Sequence, residues 1–502
     1  MNLSWRDRIL PALLLVAMML PLRHGFTDDG FIHIQYARNI MMRGEYSFNP
    51  GEVSFGTTSP LWVMALAAAG KLGAGADGLV GASRVFSWLA ALAALAVVHR
   101  ALLLMGATRR IALFGALAFA ADAWFVRWSA LGMESSAATW AAALAMLMSF
   151  GAYQSRTGAA RFGAAVAVGA LIRPEMYLAI PVYVIAALTL RPRPSVRVVL
   201  AAAAVAGLLI APWLAFAKWH IGSFLPNTAG AKSGGVSVAP LAFIANLVPV
   251  AKIVASTQAI ALLALVADLA VSRRGAIVFS RELRFSVLWI VALPLAYVAA
   301  DIQVLSRYLL LITPMVCVAG WRALGNLASL LPPRRALFVS AAAALIAVSV
   351  NVAFYTRVVL PPSIAFSEDL QTRMKDLALY LHDNSMPDVV VAAADIGYLA
   401  YFSQRRVLDL GGLVETETAR LREAHDYEDI LAQGLYFGVP GYPRVDYLVD
   451  RDHEPDRFTG KVVNGYGFVP VYATVVRNLG IRKPGEYHYT LYRIMPAVEE
   501  TR

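Results

Sequence analysis

Residues 23–39 read RHGFTDDGFIHIQYARN. Two adjacent carboxylates, Asp28 and Asp29, close the first apolar segment and open an aromatic-rich run. The plain reading is a helix start. Thr27 is placed to cap, and acids suit the positive end of the helix that follows. Beyond the cap, Phe31, Ile34 and Ile40 alternate with His33, Gln35, Arg38 and Asn39. That spacing predicts an interfacial helix whose polar side faces a cavity.

The rest of the chain puts this stretch beside a bilayer. Of 502 residues, 59% are hydrophobic and 15% charged. Soluble chains carry about 25% charged residues, so most of this one is expected in lipid. Cys317 is the single cysteine, which excludes an intrachain disulfide. The net charge of +11 does not point to nucleic acid, because arginines in short cytoplasmic loops account for much of it. The N-terminus, MNLSWRDRILPALLLVAMMLPLRHGF, has a basic start but no clear small-x-small cleavage site, and reads as a retained signal anchor.

A spanning helix needs about 20 mostly apolar residues. Eleven candidates fall near 7–23, 78–104, 110–128, 133–153, 160–173, 174–190, 196–217, 241–271, 285–300, 306–327 and 334–356. With that count, Arg6, Arg8, Arg100, Arg109, Arg110, Arg156, Arg161, Arg191, Arg193, Arg197, Arg273, Arg274, Arg281, Arg284, Arg334 and Arg335 all fall on one side. The positive side is cytoplasmic, so the N-terminus is expected inside and the C-terminus outside. Residues 59–73, SPLWVMALAAAGKLG, are too short to cross and suit a surface-lying helix in the first external loop, 24–77. After about residue 357 the character changes. SEDLQTRMKDLALYLHDN is an amphipathic helix with Leu370, Met374, Leu377 and Leu381 on one face. DVVVAAADIGYLAYFS reads as strand, turn and short helix, and RRVLDLGGLV, RVDYLVD, FVPVYATVV and YHYTLYRIM as further strands. The expected architecture is a polytopic α-helical membrane protein, residues 1–356, followed by a periplasmic α/β domain, residues 357–502.

The external loops carry the chemistry-bearing residues: TDDGFIH, ALGMESS, IRPEM, WHIGSFLPNTAGAKSGG and DIQVLSRY. Ionisable groups at membrane helices mark functional sites by default. A carboxylate there can take the proton of a sugar hydroxyl as its oxygen attacks an activated carbon. Asp28 and Asp29 are both candidates, and a like charge nearby raises the pKa of one of them. A phosphate leaving group would be held by Arg38, Arg173, Lys232 and Arg307. The plain alternative for Arg38 and Arg307 is snorkelling to headgroups. Glu134, Glu175, Asn227, Thr228 and His33 are the candidate sugar or acceptor contacts. Against this, Glu134 suits a helix start, Arg173–Glu175 suits a structural pair, and Asn227 and Thr228 suit a turn after Pro226. No HExxH, CxxC pair, P-loop, GxGxxG or GxSxG stands in a convincing context. His24 and His33 alone define no metal ligand set, and no metal residue is assigned. The residues call for no cofactor, with a divalent cation left open.

DDGFIHIQYARNIMMRGEYSFNPGEVSFGTTSPLW, residues 28–62, resembles the first external loop of bacterial GT-C glycosyltransferases. The nearest resemblance is to the polyprenyl-phosphate-sugar-dependent group that includes the mycobacterial terminal arabinofuranosyltransferases. GMESS, RPE, FLPNTAGAK, RYLLLITP and ADIGYLAYFSQRRVLDLGGL look like that group's later motifs in the same order, so the resemblance runs from about 27 to 413. It implies a polyprenyl-phosphate-linked sugar donor, a glycan or glycolipid acceptor at the periplasmic face of the bacterial inner membrane, and contact with membrane lipids. It also implies inverting transfer of arabinofuranose or another sugar, with an Asp of the first-loop motif as base. Here that is Asp28 or Asp29, with Asp28 preferred. FGTTSPLW departs from the more polar EGYT of many relatives, which bears on sugar or acceptor choice. Two other readings fit the same chain: a transporter or flippase of lipid-linked sugar, and a non-catalytic envelope assembly protein.

Overall fold

A computed structural model describes residues 5–224, 240–272, 277–481 and 484–497. The chain divides into two units. The first comprises Met1–Arg23, Ser83–Leu214 and Ser233–Leu360; the second comprises His24–Ala82, Ala215–Lys232 and Pro361–Arg502.

The first unit is helical. Each of the eleven apolar segments contains helix, but among the described residues only five helices are long and apolar enough to cross a membrane, or six if one bent pair counts as a span. The physical reason is length. Trp5–Met19, Arg156–Ala170, Ala179–Thr189 and Arg284–Ala299 have 15, 15, 11 and 16 residues, and a helix rises only about 1.5 Å per residue. The bent pair is Arg109–Ala120 and Ala123–Ala130, angled by 57°. Asp122 sits at the break, fully buried. Its Oδ1 caps the second helix by accepting from the Phe125 N–H at 2.9 Å, and its Oδ2 accepts from Gln258 Nε2 at 2.7 Å. A buried carboxylate needs such donors, and here they fix the bend. Elsewhere the helices meet through small residues. A Cβ on Gly320 of Thr313–Ala328 would lie 2.5 Å from the Ala261 carbonyl oxygen of Pro240–Ser272. A Cβ on Gly163 would lie 2.2 Å from the Ala202 carbonyl oxygen. Close backbone approach at Gly and Ala is how apolar helices gain packing where lipid gives no hydrophobic drive.

The second unit holds a six-stranded mixed sheet in the order β2-β1-β3-β6-β5-β4. The strands are β1 Val390–Ala393, β2 Arg406–Asp409, β3 Tyr447–Asp452, β4 Val462–Val463, β5 Tyr466–Asn478 and β6 Pro484–Pro496. β1 pairs parallel with β2 and β3, and the other pairings are antiparallel. The short parallel strands read VVAA and RVLD, and all of β1 is buried, as parallel strands covered on both faces should be. Val390, Leu408, Tyr436, Leu448, Phe468 and Tyr492 form the core of this sheet. The strand expectations hold for β1, β2, β3, β5 and β6; two-residue β4 was too short to show a period.

Residues 24–82 belong to this same unit, although more than 300 residues separate them from the sheet. Asn49 shows how they attach. Its Nδ2 donates to the Val407 carbonyl at 2.9 Å and its Oδ1 accepts from the Val407 N–H at 3.0 Å. One amide side chain thus completes the ladder of edge strand β2, which would otherwise present bare N–H and C=O groups. Next to it, Gly56 packs so tightly that a Cβ would lie 2.9 Å from the Leu413 carbonyl oxygen. The loop 411–414 that it meets is held by Asp409, whose oxygens accept from the Gly411 and Val414 N–H groups at 2.8 Å each.

Candidate functional site

The acidic motif lies in the second unit. Helix Asp28–Arg43 begins where the spacing predicts, with Thr27 Oγ1 accepting from the Gly30 N–H at 3.1 Å. The cavity-facing polar side is corrected. His33, Gln35 and Asn39 are buried, and they bind the following loop. His33 Nδ1 pairs with Thr57 Oγ1 at 2.7 Å, Gln35 Nε2 donates to the Phe48 carbonyl at 3.2 Å, and Asn39 Nδ2 donates to the Ser47 and Phe48 carbonyls at 2.9 Å each. Polar side chains removed from water take up the loop's unpaired carbonyls instead of facing a space.

Asp28 has a different partner. Its Oδ2 accepts from the Gly397 N–H at 3.0 Å and its Oδ1 from the Tyr398 N–H at 2.8 Å. Both donors belong to the first turn of Gly397–Ser403. The approach requires glycine, because a Cβ on Gly397 would lie 2.0 Å from the Asp28 carbonyl oxygen. Phe31 packs on Tyr398, Tyr401 and Phe402, with ring centroids 4.3, 5.1 and 5.3 Å apart. Asp28 is half-buried. Burial pushes the carboxyl up to about 7, and the negative charge of Asp395 adds to the rise. The two N–H bonds pull the other way, and Asp29 contributes a smaller upward push. Asp395, two residues before the donating turn, is itself held by Arg451 Nη1 and Tyr489 Oη, both donating to its Oδ2 at 2.6 Å. Asp29 is half-buried. Sequence reading paired Asp28 with its neighbour. It did not find Asp395, whose only signal was its place in the ADIGYLAYFS motif.

Arg38 is also in this unit. Its guanidinium lies 5.4 Å from the Tyr401 ring centre, and its Nη1 donates to the Tyr401 carbonyl at 3.3 Å. Asn227, Thr228 and Lys232 lie outside the described residues.

Four other candidates meet in the first unit. Arg173 Nη1 lies 3.4 Å from Glu134 Oε1, and its Nε 3.8 Å from Glu175 Oε2. Tyr297 Oη donates to Glu175 Oε1 at 2.9 Å. Tyr308 links this group to Arg307: Arg173 stands 5.1 Å and Arg307 5.5 Å from its ring centre. Arg307 also lies 5.3 Å from the Trp128 ring centre, with Arg127 at 4.6 Å from that same ring. Trp128 Nε1 donates to Ser306 Oγ at 2.9 Å, which fixes the indole. Arg127, Arg173 and Arg307 are each 7% exposed or less. The expected Arg173–Glu175 pair is present, and Glu134 joins it. Arg127 was missed by sequence reading because it falls inside an apolar run, FVRWSAL, that reads as a span. Among the described residues no group of three His, Cys, Asp or Glu side chains is placed to hold a metal ion.

A family model described as a domain of unknown function (DUF8728) matches residues 363–492. No curated protein matches the chain by sequence. Solved structures resemble it more fully. ArnT from Cupriavidus metallidurans bound to undecaprenyl phosphate is 13% identical with a TM-score of 0.55, over 95% of this chain and 96% of that one. The oligosaccharyltransferase of Archaeoglobus fulgidus in complex with Zn and sulfate is 13% identical with a TM-score of 0.61, over 88% of this chain and 67% of that one. The arabinofuranosyltransferase AftD from Mycobacteria is 18% identical with a TM-score of 0.53, over 98% of this chain and 42% of that one, so this chain spans under half of AftD's length. Identities this low speak to architecture alone. The chain shares the fold of these three structures.

Proposed function

We propose that this protein is an inverting glycosyltransferase that moves a sugar from a polyprenyl-phosphate carrier to a cell-envelope glycan or glycolipid. In this reading Asp28 is the base. It takes the proton of the acceptor hydroxyl while that oxygen bonds to the anomeric carbon and the carbon–phosphate oxygen bond breaks. The sugar inverts, and the polyprenyl phosphate leaves with the bonding electrons. Within the first unit, Arg173 and Arg307 are the proposed phosphate contacts and Glu134 and Glu175 the proposed sugar or acceptor contacts. The proposed topology places the N-terminus on the cytoplasmic side and residues 357–502 on the periplasmic side of the bacterial inner membrane.

The observation that carries this reading is the setting of Asp28. A general base works best with a pKa near the operating pH. Burial and Asp395 push this carboxyl up to about 7, while two backbone N–H groups fix both oxygens. A capping acid alone has no need of a second helix's first turn.

The test is transfer by the purified full chain in lipid nanodiscs, given a panel of polyprenyl-phosphate sugars and envelope glycan acceptors. Product from the wild type, abolished in Asp28→Asn with donor binding retained, supports the reading. Donor binding with no product from any pair, unchanged in Asp28→Asn and Asp29→Asn, overturns it in favour of transport or assembly.

A further inference from the structure

Strand register inside the second unit brings Asp395, Arg451 and Tyr489 together. β3 pairs parallel with β1 through Val391–Tyr447, Ala392–Leu448 and Ala393–Val449. Two residues further on, past the end of β1, the same register sets Asp395 level with Arg451. Arg451 in turn stands opposite Tyr489 in the antiparallel pairing of β3 with β6. Arg451 Nη1 and Tyr489 Oη both donate to Asp395 Oδ2 at 2.6 Å. This row lies at the carboxyl ends of the parallel strands, where open α/β sheets present their functional groups.

The chain then runs directly into the clasp on Asp28. Asp395 precedes the turn whose Gly397 and Tyr398 N–H groups donate to Asp28 at 3.0 and 2.8 Å. The charges that bear on the Asp28 carboxyl are Asp395 and, less strongly, Asp29. Cations on the helices beside that turn lie over rings instead. Arg38 is 5.4 Å from the Tyr401 ring centre and Lys375 is 5.1 Å from that of Phe402. On the sheet side Asp395 meets Arg451 and Tyr489, with Tyr427 as a further electrostatic neighbour. The next arginine along, Arg457, is taken up by Glu428, Asp450 and Asp452 at 2.5, 2.6 and 2.9 Å. Among the described residues Arg451 forms an ion pair with Asp395 alone.

Where two carboxyl groups stand close together, one of them holds its proton longer. A cation and a hydroxyl on one partner favour the charge there and leave the proton to the other. A plain staple between β1, β3 and β6 accounts for the Arg451–Asp395 bond. It has no need of a second carboxyl closed in by the turn that follows.

We infer that Arg451 and Tyr489 are positioning residues for the base: through Asp395 they fix the negative charge that stands beside Asp28. The inference rests on the transferase reading and deepens it, by giving the sheet a task in that reaction.

The test reads the proton on Asp28 directly, with neither donor nor acceptor present. Infrared spectra of the full chain in lipid nanodiscs are taken across neutral pH, following the protonated-carboxyl band that Asp28→Asn removes. In the wild type its midpoint should fall at about 7. Asp395→Asn should lower the midpoint by about one pH unit. Arg451→Gln, which keeps both acids and removes their cation, should raise it by about one pH unit or more. Arg451→Lys should return it towards the wild-type value, and Tyr489→Phe should raise it less than Arg451→Gln does. Thermal unfolding identifies any variant that fails to fold, and Tyr489→Phe, which removes a single hydroxyl, carries the test if Arg451→Gln is lost. A staple would lower the unfolding temperature and leave the midpoint in place. That result overturns the inference and leaves the transferase reading standing. Midpoints that move as expected, with no product from the wild type and the panel of donors and acceptors, overturn the transferase reading and the base role with it.

Discussion

Asp28 is the residue on which pH dependence turns. Its carboxyl is pushed from 3.8 in the unfolded chain to about 7 in the folded one. The base form therefore predominates only above about pH 7. Transfer should rise with pH through a midpoint near 7 and level off above it, as read from kcat/KM profiles. Removing the neighbouring charge in Asp395→Asn should move that midpoint down, while burial keeps it above the ordinary carboxylate range. A merely structural Asp395 would leave the midpoint where it is. For stability the sign runs the other way from a salt-bridged acid. Because the native carboxyl holds its proton more tightly than the unfolded one, this group favours folding most at acid pH. That contribution is lost as pH rises from about 3.8 to about 7. Asp28→Asn should lower the turnover rate by about 100-fold or more, the usual span for loss of an acid–base group.

At the scale of elements, two close contacts should be intolerant. Gly397→Ala would drive a Cβ to 2.0 Å from the Asp28 carbonyl oxygen and force the helices apart. Overpacking of this kind costs about 1–3 kcal/mol, and it also displaces the N–H groups that hold Asp28. Thermal unfolding and turnover should therefore both fall. In the sheet, Arg457 donates to Asp450, which is 3% exposed, through Nε at 2.6 Å and Nη2 at 2.8 Å. Arg457→Ala strands a buried carboxylate and should destabilise the protein by about 3 kcal/mol, measured as a shift in the denaturation midpoint. The helices themselves were legible from apolar length, and five of the six strands from their β-branched and aromatic runs. Their true lengths were not, because an apolar run does not show where a buried cap such as Asp122 breaks it.

For the whole molecule the testable matter is topology. Cys317 is the only cysteine and is buried, so the native chain gives little labelling background. A cysteine placed at exposed Lys461 should react with a membrane-impermeant maleimide in intact spheroplasts. One placed at exposed Arg334 should react only after permeabilisation. The reverse pattern, or reaction of both, would refute the proposed orientation.

The sequence by itself determined that this chain is mostly apolar helix with a sheet near its C-terminus, and that acids and arginines collect in particular connecting loops. Composition and period carry that much, because burial in lipid and strand alternation each leave a mark on neighbouring residues. It also marked Asp28 as a candidate, through a local motif. Only the tertiary structure decided what Asp28 is joined to. Gly397, Tyr398 and Asp395 lie some 370 residues away, and no spacing rule connects them. The same holds for Arg127, hidden in an apolar run until folding sets it beside Trp128 and Arg307. The charge that a group feels depends on which distant carboxylates and cations the fold brings within a few ångströms, and that is a property of packing, not of order along the chain.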